Sequence, residues 1–99
     1  MIEVRDVPER SRYEVSVDGV MAGHADYRDV DGVRVFVHTE VSDDYEGQGV
    51  GSELAREALD DVRASGRMLE PRCPFIRAWI GHHPDYADLV SSPGSRPRG

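Results

Sequence analysis

Three groups of residues in this chain have the types and spacing to do chemistry. The first is the turn Glu46-Gly47-Gln48-Gly49-Val50-Gly51-Ser52, set between a β-branched run ending at Val41 and an apolar stripe starting at Leu54. Glycines at alternate positions let backbone approach a ligand closely and take dihedrals that other residues avoid. The first N–H groups of a helix lack internal partners, and with the helix dipole they form an anion site. Pyrophosphate is its natural occupant; a glycine-eased helix start without a ligand is the alternative. Two common phosphate loops do not fit. The Walker loop needs a lysine, and the chain has none. The G-x-G-x-x-G fingerprint differs in spacing from Gly47-x-Gly49-x-Gly51 and belongs early in a βαβ unit.

The second group is Cys73, the single cysteine, between Arg72 and Pro74. Proline suits the first turn of a helix. A helix N-terminus and a neighbouring cation both favour the nucleophilic thiolate. The alternative is a small buried side chain that only packs. The third group is His38 and Glu40, two apart on one strand face just before the glycine turn. Each can accept a proton, or else serve as a partly buried polar residue and a strand-edge ion pair. The four histidines (His24, His38, His82, His83) lack ligand spacing with the cysteine, so no metal site is expected.

The elements that must position these groups read as strands first and helices later. Tyr13, Val15 and Val17 alternate with Glu14 and Ser16, the period of a half-buried strand. Ile2 to Arg5 forms a shorter strand ahead of Pro8, and Val20 to Tyr27 a return strand. Asp18-Gly19 and Asp31-Gly32 are tight hairpin turns. The next strand is expected to be the longest and central, with Val33, Val35, Val37, Thr39 and Val41 on one face and Arg34, Phe36, His38 and Glu40 on the other. Leu54, Ala58 and Val62 then mark one stripe of an amphipathic helix running from Ser52 to Ser65-Gly66. Its polar side offers Glu53–Arg56 and Asp60–Arg63 pairs. A short strand follows from Met68 to Arg72, then a second helix burying Phe75, Ile76, Trp79 and Ile80 until Pro84 breaks it. Asp85 to Val90 is one more turn, in which Tyr86 could reach the site. The fold class is α+β (α/β), with a β-β-β-β-α-β-α order. Residues 1–90 form one domain and residues 91–99 a disordered tail.

Composition bounds the rest. The chain has 99 residues, with twelve arginines and nineteen acidic residues, so 12 − 19 gives a net charge of −7. Such a chain buries about 60–70% of its unfolded surface, enough for one modest core. One cysteine makes no internal disulfide. No apolar run is long enough to span a membrane, and the first residues lack the features of a signal peptide. A pI near 4.9 argues against general nucleic-acid binding and mildly favours cationic amines. A cytoplasmic location is expected.

The strand, the Gly47–Gly51 turn and the helix from Ser52 resemble the acyl-CoA-binding motif of GNAT-type N-acetyltransferases, usually Arg/Gln-x-x-Gly-x-Gly/Ala. Gly49 and Gly51 match that motif, while Glu46 departs from it. More narrowly, the chain resembles short single-domain members of that family. Their marks appear here as His38-Thr39-Glu40, Gly47 to Gly51, Cys73-Pro74-Phe75 and His83-Pro84-Asp85-Tyr86. The resemblance implies a reduced GNAT fold with a mixed, splayed sheet and acetyl-CoA as co-substrate. It implies pyrophosphate on the N–H groups of the turn (Gly47, Gln48, Gly49, Val50, Gly51, Ser52), with Val41 pairing the pantetheine arm. Cys73 would then accept the acetyl group or reprotonate the CoA sulfur, and His38 or Glu40 would deprotonate the acceptor amine. That acceptor, a small molecule or a protein, is unidentified, and its site is open or shared with a partner, as in a homodimer. A non-catalytic acyl-CoA-binding or sensing module is the competing function. A structural protein whose glycine turn is only a turn is a third.

Overall fold

The computed structural model describes residues 1–91; the rest of the expected tail, residues 92–99, lies outside the described residues. The elements are β1 (Ile2–Val7), β2 (Arg12–Val17), β3 (Val20–Val30), β4 (Val33–Val41), α1 (Val50–Ala64), β5 (Met68–Pro71) and α2 (Pro74–His82). Short 3-10 segments occupy Pro8–Arg10, Asp43–Tyr45 and Pro84–Leu89. The five strands form one sheet in chain order. The first four pair antiparallel, and β5 joins β4 in parallel. This is the α+β order that the hydrophobic periods imply, in the mixed sheet that the family resemblance implies.

Both Asp-Gly hairpin turns form with positive φ at each residue, 50° and 84° at Asp18-Gly19 and 52° and 81° at Asp31-Gly32. That geometry matches the right-handed twist of the flanking strands. The longest strand is β3, with 11 residues against 9 in β4, because its pairing continues through Asp29 and Val30 to the turn. β4 is still interior, between β3 and β5.

Both helices cover one face of the sheet. Leu54, Ala55, Ala58, Leu59 and Val62 of α1 and Ile76, Trp79 and Ile80 of α2 join Tyr13, Val15, Ala25, Tyr27, Phe36 and Leu69 in a single core. Each fully buried Leu, Ile or Val contributes about 1.5–3 kcal/mol. Phe75 stays outside that core and is 38% exposed. The opposite face carries no helix among the described residues. Among the described residues Arg34 is the only buried charged side chain, and it is fully engaged. Its Nε and Nη2 donate to Asp29 at 2.7 Å each, its Nη1 donates to Tyr13 Oη at 2.7 Å, and it stacks 3.8 Å over the Tyr27 ring. Pairing and bonding of this completeness offset the cost of burying a charge.

The expected faces of β4 hold only for its first half. Tyr27 pairs with Phe36, but Asp26 pairs with His38, so Val37 is an extra residue in β4. This bulge exchanges the two faces of the strand. Beyond it Thr39 and Val41 turn toward the helices, while His38 and Glu40 turn toward the open face. The expected i,i+3 pairs on α1 are also replaced. Arg63 reaches Asp88 and the Asp85 carbonyl instead of Asp60, and Asp60 accepts from Tyr86 Oη at 2.8 Å. No Glu53–Arg56 ion pair forms among the described residues.

Candidate active site

The site begins where β4 and β5 part. Their parallel pairing runs only from Val33–Met68 to Phe36–Pro71. The Phe36 carbonyl then accepts two N–H groups at once, Arg72 at 3.0 Å and Cys73 at 2.9 Å. Past that point the chain turns into α2, and Val37 to Val41 have no partner strand on that side. The bulge at Val37 sits at the same point, so β4 bends as its neighbour leaves. A cleft results, with backbone hydrogen-bonding groups along one wall.

The glycine turn closes one end of this cleft. α1 starts at Val50, two residues before the expected Ser52, with Gly49 as its N-cap at φ 78°. Gly47 is also left-handed at φ 82°, a region costly for residues with a Cβ. Gly51 has a different reason to be glycine. A Cβ there would lie 3.0 Å from the Phe75 ring and 3.7 Å from Val41 Cγ2. No side chain caps α1. The N–H groups of Val50, Gly51 and Ser52 therefore point out of the helix without an intrahelical partner. The Gln48 N–H, expected to bind pyrophosphate, already donates to the Tyr45 carbonyl at 3.2 Å. Trp79 Nε1 donates to Ser52 Oγ at 2.9 Å, which leaves the Ser52 hydroxyl hydrogen for another acceptor. His83 stacks on the Trp79 ring at 3.8 Å, so α2 braces the first turn of α1. These features fit a diphosphate: an uncapped helix start, a small-residue cradle and a hydroxyl donor. Glu53 works against it one helical turn on, and its hydrogen bond to Glu57 raises the Glu57 carboxyl above its usual range.

Cys73 is the N-cap of α2, as expected, and Pro74 is in its first turn. The thiol is 2% exposed and donates to Thr39 Oγ1 at 3.2 Å. It therefore faces the splayed half of β4. Arg72 turns away, with its Nε 2.6 Å from Glu70 Oε2. The cation expected to act on the thiol is thus paired elsewhere.

His38 and Glu40 share a face as expected, with His38 Nε2 3.6 Å from Glu40 Oε1. The bulge sets them on the open face, across β4 from Thr39 and Cys73. The candidate groups thus lie on two sides of β4, the thiol on the helix side and the carboxylate and imidazole on the open side. The open face also carries His24 and Asp26, opposite Glu40 and His38 on β3. The sequence offers His24 only as a possible metal ligand and gives Asp26 no role, since regular pairing back from the Asp31-Gly32 turn puts His24 opposite Thr39. Thr39, expected on a face of β4, and Phe75, expected in the core, instead meet the Cys73 thiol and the glycine turn. The Tyr86 hydroxyl turns from the glycine turn and donates to Asp60, further along α1. Among the described residues no group of three His, Cys, Asp or Glu side chains is placed to hold a metal ion. No described helix is long and apolar enough to cross a membrane.

Comparisons with known proteins agree with this architecture. Residues 12–89 match the family model described as GCN5-related N-acetyl-transferase. The fold is shared with the NMR solution structure of a GCN5-like protein from Staphylococcus aureus. The TM-score is 0.69 at 21% sequence identity, over 97% of this chain and 96% of that one. Among curated proteins none matches. The splayed β4–β5 pair, the uncapped glycine turn and the family match over residues 12–89 lead to one conclusion: the chain belongs to the GCN5-related N-acetyltransferase family.

Proposed function

We propose that the protein transfers an acetyl group from acetyl-CoA to the nitrogen of an amine, as a short single-domain acetyltransferase with a Cys-Pro-Phe motif. The observation that carries this reading is the cleft at Phe36, which opens between β4 and α2 and has Cys73 and Thr39 at its inner end. In this reading the N–H groups of Val50, Gly51 and Ser52 and the Ser52 hydroxyl bind the diphosphate. Gly47 and Gly49 shape the turn, and Gln48 holds it through Tyr45. The free edge of β4 up to Val41 pairs with the pantetheine amides, as an added strand would.

Acyl transfer needs a neutral amine, so one proton must leave the acceptor ammonium first. Glu40 and His38 supply the acceptors for it on the open face. As the C–N bond forms and the C–S bond breaks, a second proton must reach the departing sulfur. In this reading the Cys73 thiol, 3.2 Å from Thr39 Oγ1, gives it, and the proton that the nitrogen loses as the amide forms restores the thiol. Alternatively Cys73 takes the acetyl group itself before the amine does. The free cysteine fits a reducing compartment such as the cytoplasm.

Intact mass after incubation with acetyl-CoA tests the covalent route. The chain has no lysine, so Cys73 and the N-terminal amine are the obvious stable acceptors. A hydroxylamine-sensitive adduct absent from Cys73→Ala supports it. CoA release across a panel of amines tests the transfer itself. A non-catalytic acyl-CoA-binding module is the second reading, favoured by the uncovered open face. Acetyl-CoA binding with no CoA release from any amine would select that module.

A further inference from the structure

We propose that His24 is a positioning and proton-relay residue for Glu40, held for that task by Asp26. This rests on the acetyl-transfer reading above and assigns how the acceptor amine loses its proton. His24 is 19% exposed, which is low for a side chain on the uncovered face. Its Nδ1 lies 2.9 Å from Asp26 Oδ1. A carboxylate accepts, so Nδ1 carries the hydrogen and Nε2 is bare.

The bare Nε2 faces Glu40 Oε1 at 3.5 Å. His38 Nε2 faces the same oxygen at 3.6 Å, and the two rings lie 6.0 Å apart. A nitrogen lone pair and a carboxylate repel at such a distance. A proton between them converts the contact into a charge-assisted hydrogen bond. Glu40 is therefore flanked by two imidazoles whose contacts with it become favourable when the cluster takes up a proton. That is what a proton acceptor beside an acyl-transfer cleft must do.

Of the neighbouring carboxylates on this face, Glu14 is taken up by arginines. Glu14 of β2 lies opposite His24, but Arg12, Arg10 and Arg5 hold its carboxylate at 2.9, 3.4 and 3.9 Å. The hydrogen bond from Arg12 is the main reason its carboxyl stays below the usual range. Arg12 itself lies opposite Asp26.

The step balances as follows. The acceptor ammonium gives one proton to Glu40, whose carboxylate is exposed on the open face beside the edge of β4. Rotation of this side chain, or one bridging water, closes the 3.5 Å gap and passes the proton to His24 Nε2. The imidazolium is held by Asp26 through Nδ1–H, and the freed amine lone pair attacks. Glu40 and His38, 70% and 59% exposed, later return the proton to solvent.

Two measurements on the full chain test this. Imidazole nitrogen NMR is expected to show His24 as the Nδ1–H tautomer in the wild type, and to lose that signature in Asp26→Asn. Acetyl transfer to spermidine, the amine probe, is then followed in the wild type, His24→Gln and His24→Gly. His24→Gln should lower kcat by about 100-fold, the low end for a positioned proton-transfer group, with acetyl-CoA binding unchanged. Added imidazole should restore part of the loss in His24→Gly, which a purely structural residue would not permit. Full kcat in His24→Gln, or no rescue by imidazole, overturns the proposal. If the wild type transfers no acetyl group, the acetyl-transfer reading fails on its own. The relay is then judged by the tautomer, and an Nε2–H form of His24 refutes it.

Discussion

Gly23→Ala should damage both the fold and the cleft, and its size follows from the geometry of one strand pair. Gly23 is buried opposite Val41, where β3 supports the free half of β4. A Cβ at this position would lie 2.4 Å from the Glu40 carbonyl oxygen, 3.0 Å from Val41 Cα and 3.1 Å from Val41 Cγ2. Ordinary C···O contacts between strands are about 3.3 Å or more. The strands must therefore part by roughly 0.9 Å, and the obstacle is backbone that cannot swing aside. The neighbouring Ser42 N–H to Ala22 carbonyl bond, 2.8 Å long, would open past hydrogen-bonding range. Overpacking costs about 1–3 kcal/mol and a lost hydrogen bond about 1 kcal/mol. The sum, about 2–4 kcal/mol, lowers Tm by roughly 10–25 °C in a domain of this size. Thermal unfolding followed by circular dichroism, with and without acetyl-CoA, measures both effects. The variant should melt early and gain less from acetyl-CoA than the wild type gains, because the edge near Val41 has moved. A Tm within about 2 °C of wild type would refute the reasoning.

Three further outcomes test other parts of the structure. Gly49→Ala and Gly51→Ala should separate in stability: the first forces a left-handed alanine and costs about 1–2 kcal/mol. The second gains up to about 1 kcal/mol of helix propensity against a half-exposed Phe75 ring that can shift; both should weaken the acetyl-CoA-induced rise in Tm. Arg34→Met should cost roughly 3 kcal/mol in denaturant unfolding, the low end for a broken buried pair, because Asp29 can be rehydrated. Asp29 and Glu14 are held below their ordinary 3.8 and 4.5, chiefly by hydrogen bonds from Arg34 and Arg12. Groups lowered in the folded state contribute stability that is present above the unfolded values and lost as pH falls through the folded ones. Wild-type stability should therefore decline below about pH 4.5, and Asp29→Asn should flatten that decline in an acid series.

Much of the fold was legible in local chemistry. Asp18-Gly19 and Asp31-Gly32 could only be hairpin turns, since both residues of each must take positive φ. The stripe through Leu54, Ala58 and Val62 had one buried side available, and the change of period from two to 3.6 marked where sheet gave way to helix. Cys73-Pro74 marked a helix start because proline fits there and nowhere deeper. The glycine turn was legible as an uncapped helix start, since free N–H groups are a property of any helix start.

The arrangement of the reacting groups was not legible, because it depends on a single residue of register. Counted straight back from the Asp31-Gly32 turn, His38 would point into the core opposite Ala25. The bulge at Val37 adds one residue to β4 and exchanges its faces. That change sends His38 and Glu40 to the open face beside His24 and Asp26, and brings Thr39 to the Cys73 thiol. Phe75 likewise left the core for the glycine turn, where its ring packs against the Cβ-less Gly51. By itself, the sequence determined which residues could do chemistry and which elements carry them. A strand bulge and the parting of β4 from β5 decided which of them meet, because side-chain direction in a sheet alternates with every residue and local pattern cannot count an insertion that only pairing reveals.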